Sequence, residues 1–245
     1  MVLPLFSVPG TVSLTAGDMF TLDGPEGKHA AQVRRMRVGE GIQLTNGQGL
    51  RATGKVASTA SNSLVVQVSE VSKEELPALR LTLVQALAKG DRDELAVQAA
   101  TELGALKVIP WQAARSISRW EGDKAEKSRI RWQTIAQEAA KQSLRVWNPE
   151  VMPVATTKQL TGMLADYDSI LVLEPTGSNS ITDLGSLSGD VALVVGPEGG
   201  IDASELEKFA NCGFKIVHLG NGVLRTSTAG LAAISYLAGS NGLWN

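Results

Sequence analysis

Two stretches of this chain set a charged side chain among glycines, a pattern that lets backbone come close to a small molecule. Residues 193–202 read LVVGPEGGID and place Glu198 inside Gly196-Pro197-Glu198-Gly199-Gly200. Residues 219–230 read LGNGVLRTSTAG and place Arg225 between Leu224 and Thr226. Each follows a short apolar run, VALVV or KIVH. Glycines expose their N–H groups, and Pro197 stiffens the first loop. One such loop alone reads equally well as a tight turn; two on successive strands point to a ligand site. The spacing is neither the G-x-G-x-x-G of dinucleotide binding nor a P-loop, since no G-K-[ST] follows. His29 and His218 stand far apart and Cys212 lacks a partner at ligand spacing, so no metal site is expected. There is no G-x-S-x-G nucleophile elbow.

The elements that must position these loops alternate strand and helix. RLTLVQAL, LKVIP, SILVLE, VALVVG and KIVHLG are short, nearly all-apolar strands, as in a parallel sheet covered on both faces. Asp91 with Glu94, and Asp202 with Glu205, have the spacing of helix N-terminal capping boxes, closed by Gly104 and Gly213. Leu206 and Phe209 are expected to face inward. A long helix is expected from about Asp123 to Arg145, and a small-residue helix, AGLAAISYLAG, after Arg225. In open α/β sheets ligands bind beyond the carboxyl ends of the strands, where both glycine loops fall.

The chain changes character near SKEELPAL, residues 72–79. Before it lie strands: GIQLT meets LRATGKVA across NGQG as a hairpin, and SLVVQVSEV follows. Pro25 opens one short helix, with Val33 and Met36 at apolar spacing. The expected organisation is a small β domain over residues 1–73 and an α/β domain over residues 79–245.

At 245 residues, with 43% hydrophobic and 20% charged residues, the composition is that of a globular protein. The apolar runs are strand-sized, so no membrane span is expected. MVLPLFSVPG lacks the basic start of a signal peptide, and a single Cys212, read as structural at a helix end, suits a reducing cytoplasm. A formal charge of −2 leaves any nucleic-acid contact to local patches. Lys28, Arg34, Arg35 and Arg37 form one. The segment from Lys124 to Arg145, with six Lys or Arg against two Glu, forms another. Either reads alternatively as a solvated helix face.

LVVGPEGGI, a capped helix and LGNGVLRTSTA together resemble the SPOUT superfamily of methyltransferases. Within it the chain is similar to the RsmE-type family of bacterial 16S rRNA uridine-N3 methyltransferases. KHAAQVRRMRVGE resembles that family's His-x-x-x-Val-x-Arg region, ALAKGDRDELAVQAATELGA the first helix of its catalytic domain, and RWQTIAQEAAKQSLR its Glu-Ala-x-x-Gln-x-x-Arg helix. The likeness spans nearly the whole chain. Two positions depart: family members often carry an acid at Ser227 and glycine at Leu144.

The resemblance implies an α/β SPOUT-type domain with a C-terminal trefoil knot, preceded by a small PUA-like β-barrel. It implies S-adenosyl-L-methionine as cofactor, held near Leu173, Gly196, Pro197, Gly199, Gly200, Leu219, Gly220, Val223, Leu224 and Thr226. Arg225 is the expected catalytic residue, stabilising negative charge on a uracil that loses its N3 proton. Its alternative is an ion pair with Glu198. Glu198 is expected as base or orienting group, or as a brace capping loop amides. Lys28, His29, Arg34, Arg35 and Arg37, with Glu138, Gln142 and Arg145 on one side of the long helix, are expected to face RNA or a dimer partner. His29, taken alone, reads as structural. The implied substrate is a uridine in the decoding region of 16S rRNA, within the small ribosomal subunit. The implied form is a cytoplasmic homodimer using no metal. Two rivals remain: methylation of a ribose 2′-OH by the same superfamily, and a non-catalytic RNA-binding assembly factor.

Overall fold

The computed structural model describes residues 2–244. The chain divides into two compact units, Met1–Leu76 with Ala140–Asn148, and Pro77–Ala139 with Pro149–Asn245.

In the first unit the elements are β1 (Leu5–Ser7), β2 (Met19–Leu22), α1 (Gly24–Lys28), β3 (Gly41–Thr45), β4 (Leu50–Thr59) and β5 (Leu64–Lys73). The sheet runs β1-β3-β4-β5-β2, parallel between β1 and β3 and antiparallel elsewhere. The β3–β4 hairpin forms as expected, with Gly47 and Gly49 at φ +71° and +91°. Alternate residues Ala52 and Val56 of β4, and Leu64, Val66 and Val68 of β5, enter one core with Phe6, Ile42 and Leu44. Pro25 occupies the first turn of α1. Past Lys28 the chain widens into a π-turn over His29–Val33, where the Arg34 N–H donates to the His29 carbonyl at 2.9 Å. That wider turn breaks the expected apolar spacing: Ala30 and Met36 are buried, whereas Val33 is 71% exposed.

The second unit holds β6 (Leu79–Ala86), α2 (Arg92–Leu103), β7 (Ala105–Gln112), most of α3 (Asp123–Gln142), β8 (Glu150–Val151), β9 (Ala155–Thr156) and α4 (Thr157–Met163). It continues with β10 (Ser169–Leu173), β11 (Asn179–Ser180), β12 (Gly189–Val195), α5 (Ala203–Asn211), β13 (Lys215–His218) and α6 (Thr226–Ser240). Its eight-stranded sheet runs β11-β13-β10-β12-β6-β7-β8, with β9 also on β7, and each of these pairs is parallel. Successive residues of β12 serve opposite faces. Val191, Leu193 and Val195 pack with Ala96, Ala100, Ala233, Ile234 and Leu237 of α2 and α6. Ala192 and Val194 pack with Leu160, Leu164, Phe209 and Phe214 around α4 and α5. A methyl group on Gly230 would meet Leu83 Cδ1 at 2.8 Å, so the missing side chain lets α6 lie close on the sheet.

One of the two expected capping boxes forms. Asp202 and Glu205 form one at the start of α5. Asp91 precedes α2 but its side chain makes no capping bond. Its neighbour Asp93 instead accepts the Ala88 N–H at 3.1 Å and the Glu94 N–H at 2.9 Å, and Glu94 turns away to pair with Arg131. Burial is the main cause that pushes the Asp93 carboxyl up to about 6.

The long helix is shorter than expected. It ends at Gln142, and Leu144 takes the left-handed conformation, φ +59°. The Arg145 N–H reaches the Ala140 carbonyl at 2.8 Å and the Leu144 N–H reaches Lys141 at 3.1 Å, a Schellman cap. This is the position where the resemblance leads one to expect glycine. Arg145 therefore lies beyond the helix and does not share one helical side with Glu138 and Gln142. It is half-buried, and burial lowers its pKa from the ordinary arginine value. In the first unit Lys141 Nζ pairs with Glu26 Oε1 at 2.8 Å, Ser7 N–H donates to Glu26 Oε2 at 3.1 Å, and Arg51 donates to the Leu144 carbonyl at 2.9 Å.

Candidate functional site

Strands β10, β12 and β13 end level with one another, Leu173 being in register with both Val195 and Val217. Beyond those ends lies a cavity of about 430 Å³. Leu173, Val195, Val217, Leu219 and Ala229 supply apolar walls, and the loops over residues 196–201 and 222–226 supply most of the rest. A methyl on Gly196 would stand 2.7 Å from Ile201, and Gly200, at φ +74°, closes a turn by donating to the Pro197 carbonyl at 2.9 Å. Glycine at these two positions is thus a steric requirement.

Side chains in and behind the cavity wall brace its loops. Thr226 Oγ1 donates to the Gly196 carbonyl at 2.7 Å and accepts from Gln85 Nε2 at 2.9 Å, tying the two glycine loops to the sheet. Gln85 is fully buried, and its Oε1 has no partner among the described residues. Arg115 donates to the Gly199 carbonyl and to Asp202, each at 3.1 Å. Hydrogen bonds from Ser204, with Arg115 beside them, hold Asp202 below the usual carboxylate range. Glu205, buried, accepts from the Ala114 N–H at 2.9 Å and from Thr157.

The cavity carries few charges. Glu198 Oε1 accepts the Lys89 N–H at 3.1 Å and meets Arg92 at 3.5 Å. The alternative pairing of Glu198 with Arg225 is absent. Arg225 is exposed at the N-cap of α6, where its carbonyl accepts the Thr228 and Ala229 N–H groups, and its guanidinium has no ion-pair partner among the described residues. Its charge is left available to a ligand. Glu174 is the remaining carboxylate on the wall.

Of the residues read from sequence, Leu173, Gly196, Pro197, Glu198, Gly200, Leu219, Val223, Leu224, Arg225 and Thr226 all line this one cavity. Gly199 and Gly220 adjoin the wall without lining it: Gly199 serves Arg115, and the Gly220 N–H donates to His218 Nδ1 at 3.1 Å. Arg92 and Glu174 were missed. A signal for Arg92 was present, because KGDRDEL runs from a strand end into a helix where a cation can reach a neighbouring loop. The basic set divides. His29, Arg34 and Gln142 line a separate cavity in the first unit, whereas Lys28, Arg35 and Arg37 are exposed outside it. Glu138 is exposed on α3.

The same two-part architecture recurs in solved structures. A methyltransferase of Legionella pneumophila, described in complex with bound cofactor SAM, matches with a TM-score of 0.88 at 28% identity, over 98% of this chain and 99% of that one. A ribosomal RNA small subunit methyltransferase E of Neisseria gonorrhoeae, bound to S-adenosyl methionine, matches with a TM-score of 0.86 at 29% identity, over 97% and 98%. The fold is that of a SPOUT-type methyltransferase with an N-terminal PUA-like domain. Residues 74–238 match the RNA methyltransferase domain family and residues 22–69 the RNA methyltransferase PUA domain. The ribosomal RNA small subunit methyltransferase E of Mycobacterium bovis is 37% identical over 94% of this chain and 89% of its own length. The chain belongs to the ribosomal RNA small subunit methyltransferase E family of RNA methyltransferases.

Proposed function

We infer that this chain transfers a methyl group from S-adenosylmethionine to N3 of a uridine in the decoding region of 16S rRNA, within the small ribosomal subunit. One observation carries the reading: a cavity at the ends of β10, β12 and β13, bounded by two glycine loops, in which Arg225 has no ion-pair partner among the described residues. The residues suit the cofactor. Apolar walls suit a neutral adenine, and the carboxylates of Glu174 and Glu198 suit a cationic sulfonium or ammonium. No P-loop cradles a phosphate. When bound, S-adenosylmethionine supplies an electrophilic methyl on positive sulfur. The main chain of residues 196–200 and 222–226, fixed through Thr226 and Arg115, would hold and orient it.

A uracil N3 carries an imide proton that must leave, and negative charge then spreads over O2 and O4. Arg225 would stabilise that charge, having no competing ion pair among the described residues. Glu198 keeps the loop in place through Lys89 and Arg92 and retains a second oxygen for orienting the base or receiving its proton. The base itself must be splayed from its stack to reach the cavity. Lys28, Arg35 and Arg37, all exposed, would bind phosphates.

The same reading makes the C-terminal segment a trefoil knot and the active form a cytoplasmic homodimer. Exposed Leu95 on α2, Tyr236 on α6 and Val223 just before α6 supply apolar surface for a second copy. Among the described residues no helix is long and apolar enough to cross a membrane. Mass spectrometry of 16S rRNA nucleosides tests the reading: cells lacking the chain should lose N3-methyluridine, and an unchanged level overturns the assignment.

A further inference from the structure

The first unit contains a cavity of about 220 Å³ that shares no lining residue with the one beyond the parallel sheet. Three separated pieces of chain enclose it: the lead into β1, the turn carrying His29 and Arg34, and the end of α3. Its polar groups are of two kinds. Lys141, with its side chain 6% exposed, pairs with Glu26 at 2.8 Å, so this charge is balanced within the wall. Arg34, His29 and Gln142 are different, because among the described residues no hydrogen bond or ion pair engages their side chains. The His29 ring is fixed edge-on to Phe6, their centroids 5.8 Å apart. Arg34 and Gln142 are exposed at the rim. The cavity therefore offers an apolar floor at Leu5 and Phe6, a positioned imidazole, an amide that both donates and accepts, and an unneutralised guanidinium.

Single-stranded RNA is recognised by splayed bases set on apolar or aromatic surfaces and bonded along their edges, with cations on the phosphates. The volume corresponds to roughly seven waters at about 30 Å³ each, enough for one base. We propose that this cavity receives one splayed nucleotide of the RNA substrate, other than the one that is methylated, with its base edge on the Gln142 amide and its phosphate on Arg34 and His29. A lone inorganic anion would engage Arg34 and leave the amide and the apolar floor unused. The proposal rests on the reading of the chain as a ribosomal RNA methyltransferase.

Arg34→Ala and Gln142→Ala are compared with wild type on small ribosomal subunits from cells lacking the chain. Each substitution should raise KM for the subunit about tenfold, leaving kcat and S-adenosylmethionine affinity unchanged. An unchanged KM in both variants overturns the proposal. A second readout needs no turnover. Val2 lines the cavity and is 72% exposed. Benzoylphenylalanine at that position, irradiated on the same subunits, should crosslink to one place in the rRNA. Crosslinks to ribosomal protein alone, or none, overturn the proposal. If wild type leaves uridine N3 unmethylated, the functional reading falls, while the crosslink still decides the cavity.

Discussion

The cavity beyond the parallel sheet and the cavity of the first unit differ in what lines them. The first is bounded by apolar side chains at the strand ends and by two glycine loops, shaped by Gly196, Gly200 and Pro197 and tied to the sheet through Thr226. The second is bounded by three distant segments, with Lys141 in its wall paired to half-buried Glu26 and three polar groups that no hydrogen bond or ion pair engages among the described residues. A wall shaped by glycine loops fails when a dihedral or a brace is lost. A side-chain wall depends on each residue separately.

The sharpest way to break this contrast is Arg225→Ala. If the first cavity binds through its loops and apolar walls and reacts through a few charges, turnover should fall about 100-fold, close to 3 kcal/mol, with cofactor affinity retained. Single-turnover kinetics and calorimetry with S-adenosylmethionine check both halves. Near-normal turnover would mean that no side-chain charge is needed there. Thr226→Val should have the next largest effect, about a tenfold weaker cofactor affinity, because it removes the hydroxyl that joins Gln85 to the Gly196 carbonyl. Thr226→Ser should restore it. Wild-type affinity in the valine variant would show that the loops hold themselves. Leu144→Gly should give the smallest effect and the opposite sign, stabilising the first unit by about 0.5 kcal/mol, since glycine escapes the left-handed penalty but costs unfolded-state entropy. Leu144→Ala, which keeps the strain, should melt below the glycine variant.

The same contrast explains what could be read in advance. Gly196, Gly200 and the Asp202–Glu205 cap act on their own neighbours in sequence, so both loops and the strands beneath them were legible as local patterns. The partner of Glu198 was not: Arg92 lies on a separate loop, and only the folded sheet selects it over Arg225. Asp91 and Asp93 look interchangeable as caps until burial decides that Asp93 takes the amides. Val33 fits a 3.6-residue period and is turned outward by a π-turn that no composition signals. The cavity of the first unit was visible only as scattered basic residues, because Phe6, His29 and Gln142 meet through tertiary structure alone.

Lys141 has one more consequence. Its counter-charge Glu26 lies on α1, far earlier in the chain, and both belong to a unit assembled from Met1–Leu76 and Ala140–Asn148. The first unit is therefore not a cassette that recombination could lift out by a single cut near Leu76. A graft ending there would strand Glu26 without its cation, and the remnant would inherit a lysine ammonium whose counter-charge had gone. Moving the first unit intact means moving the end of α3 with it, which ties its evolution to a helix shared with the second unit.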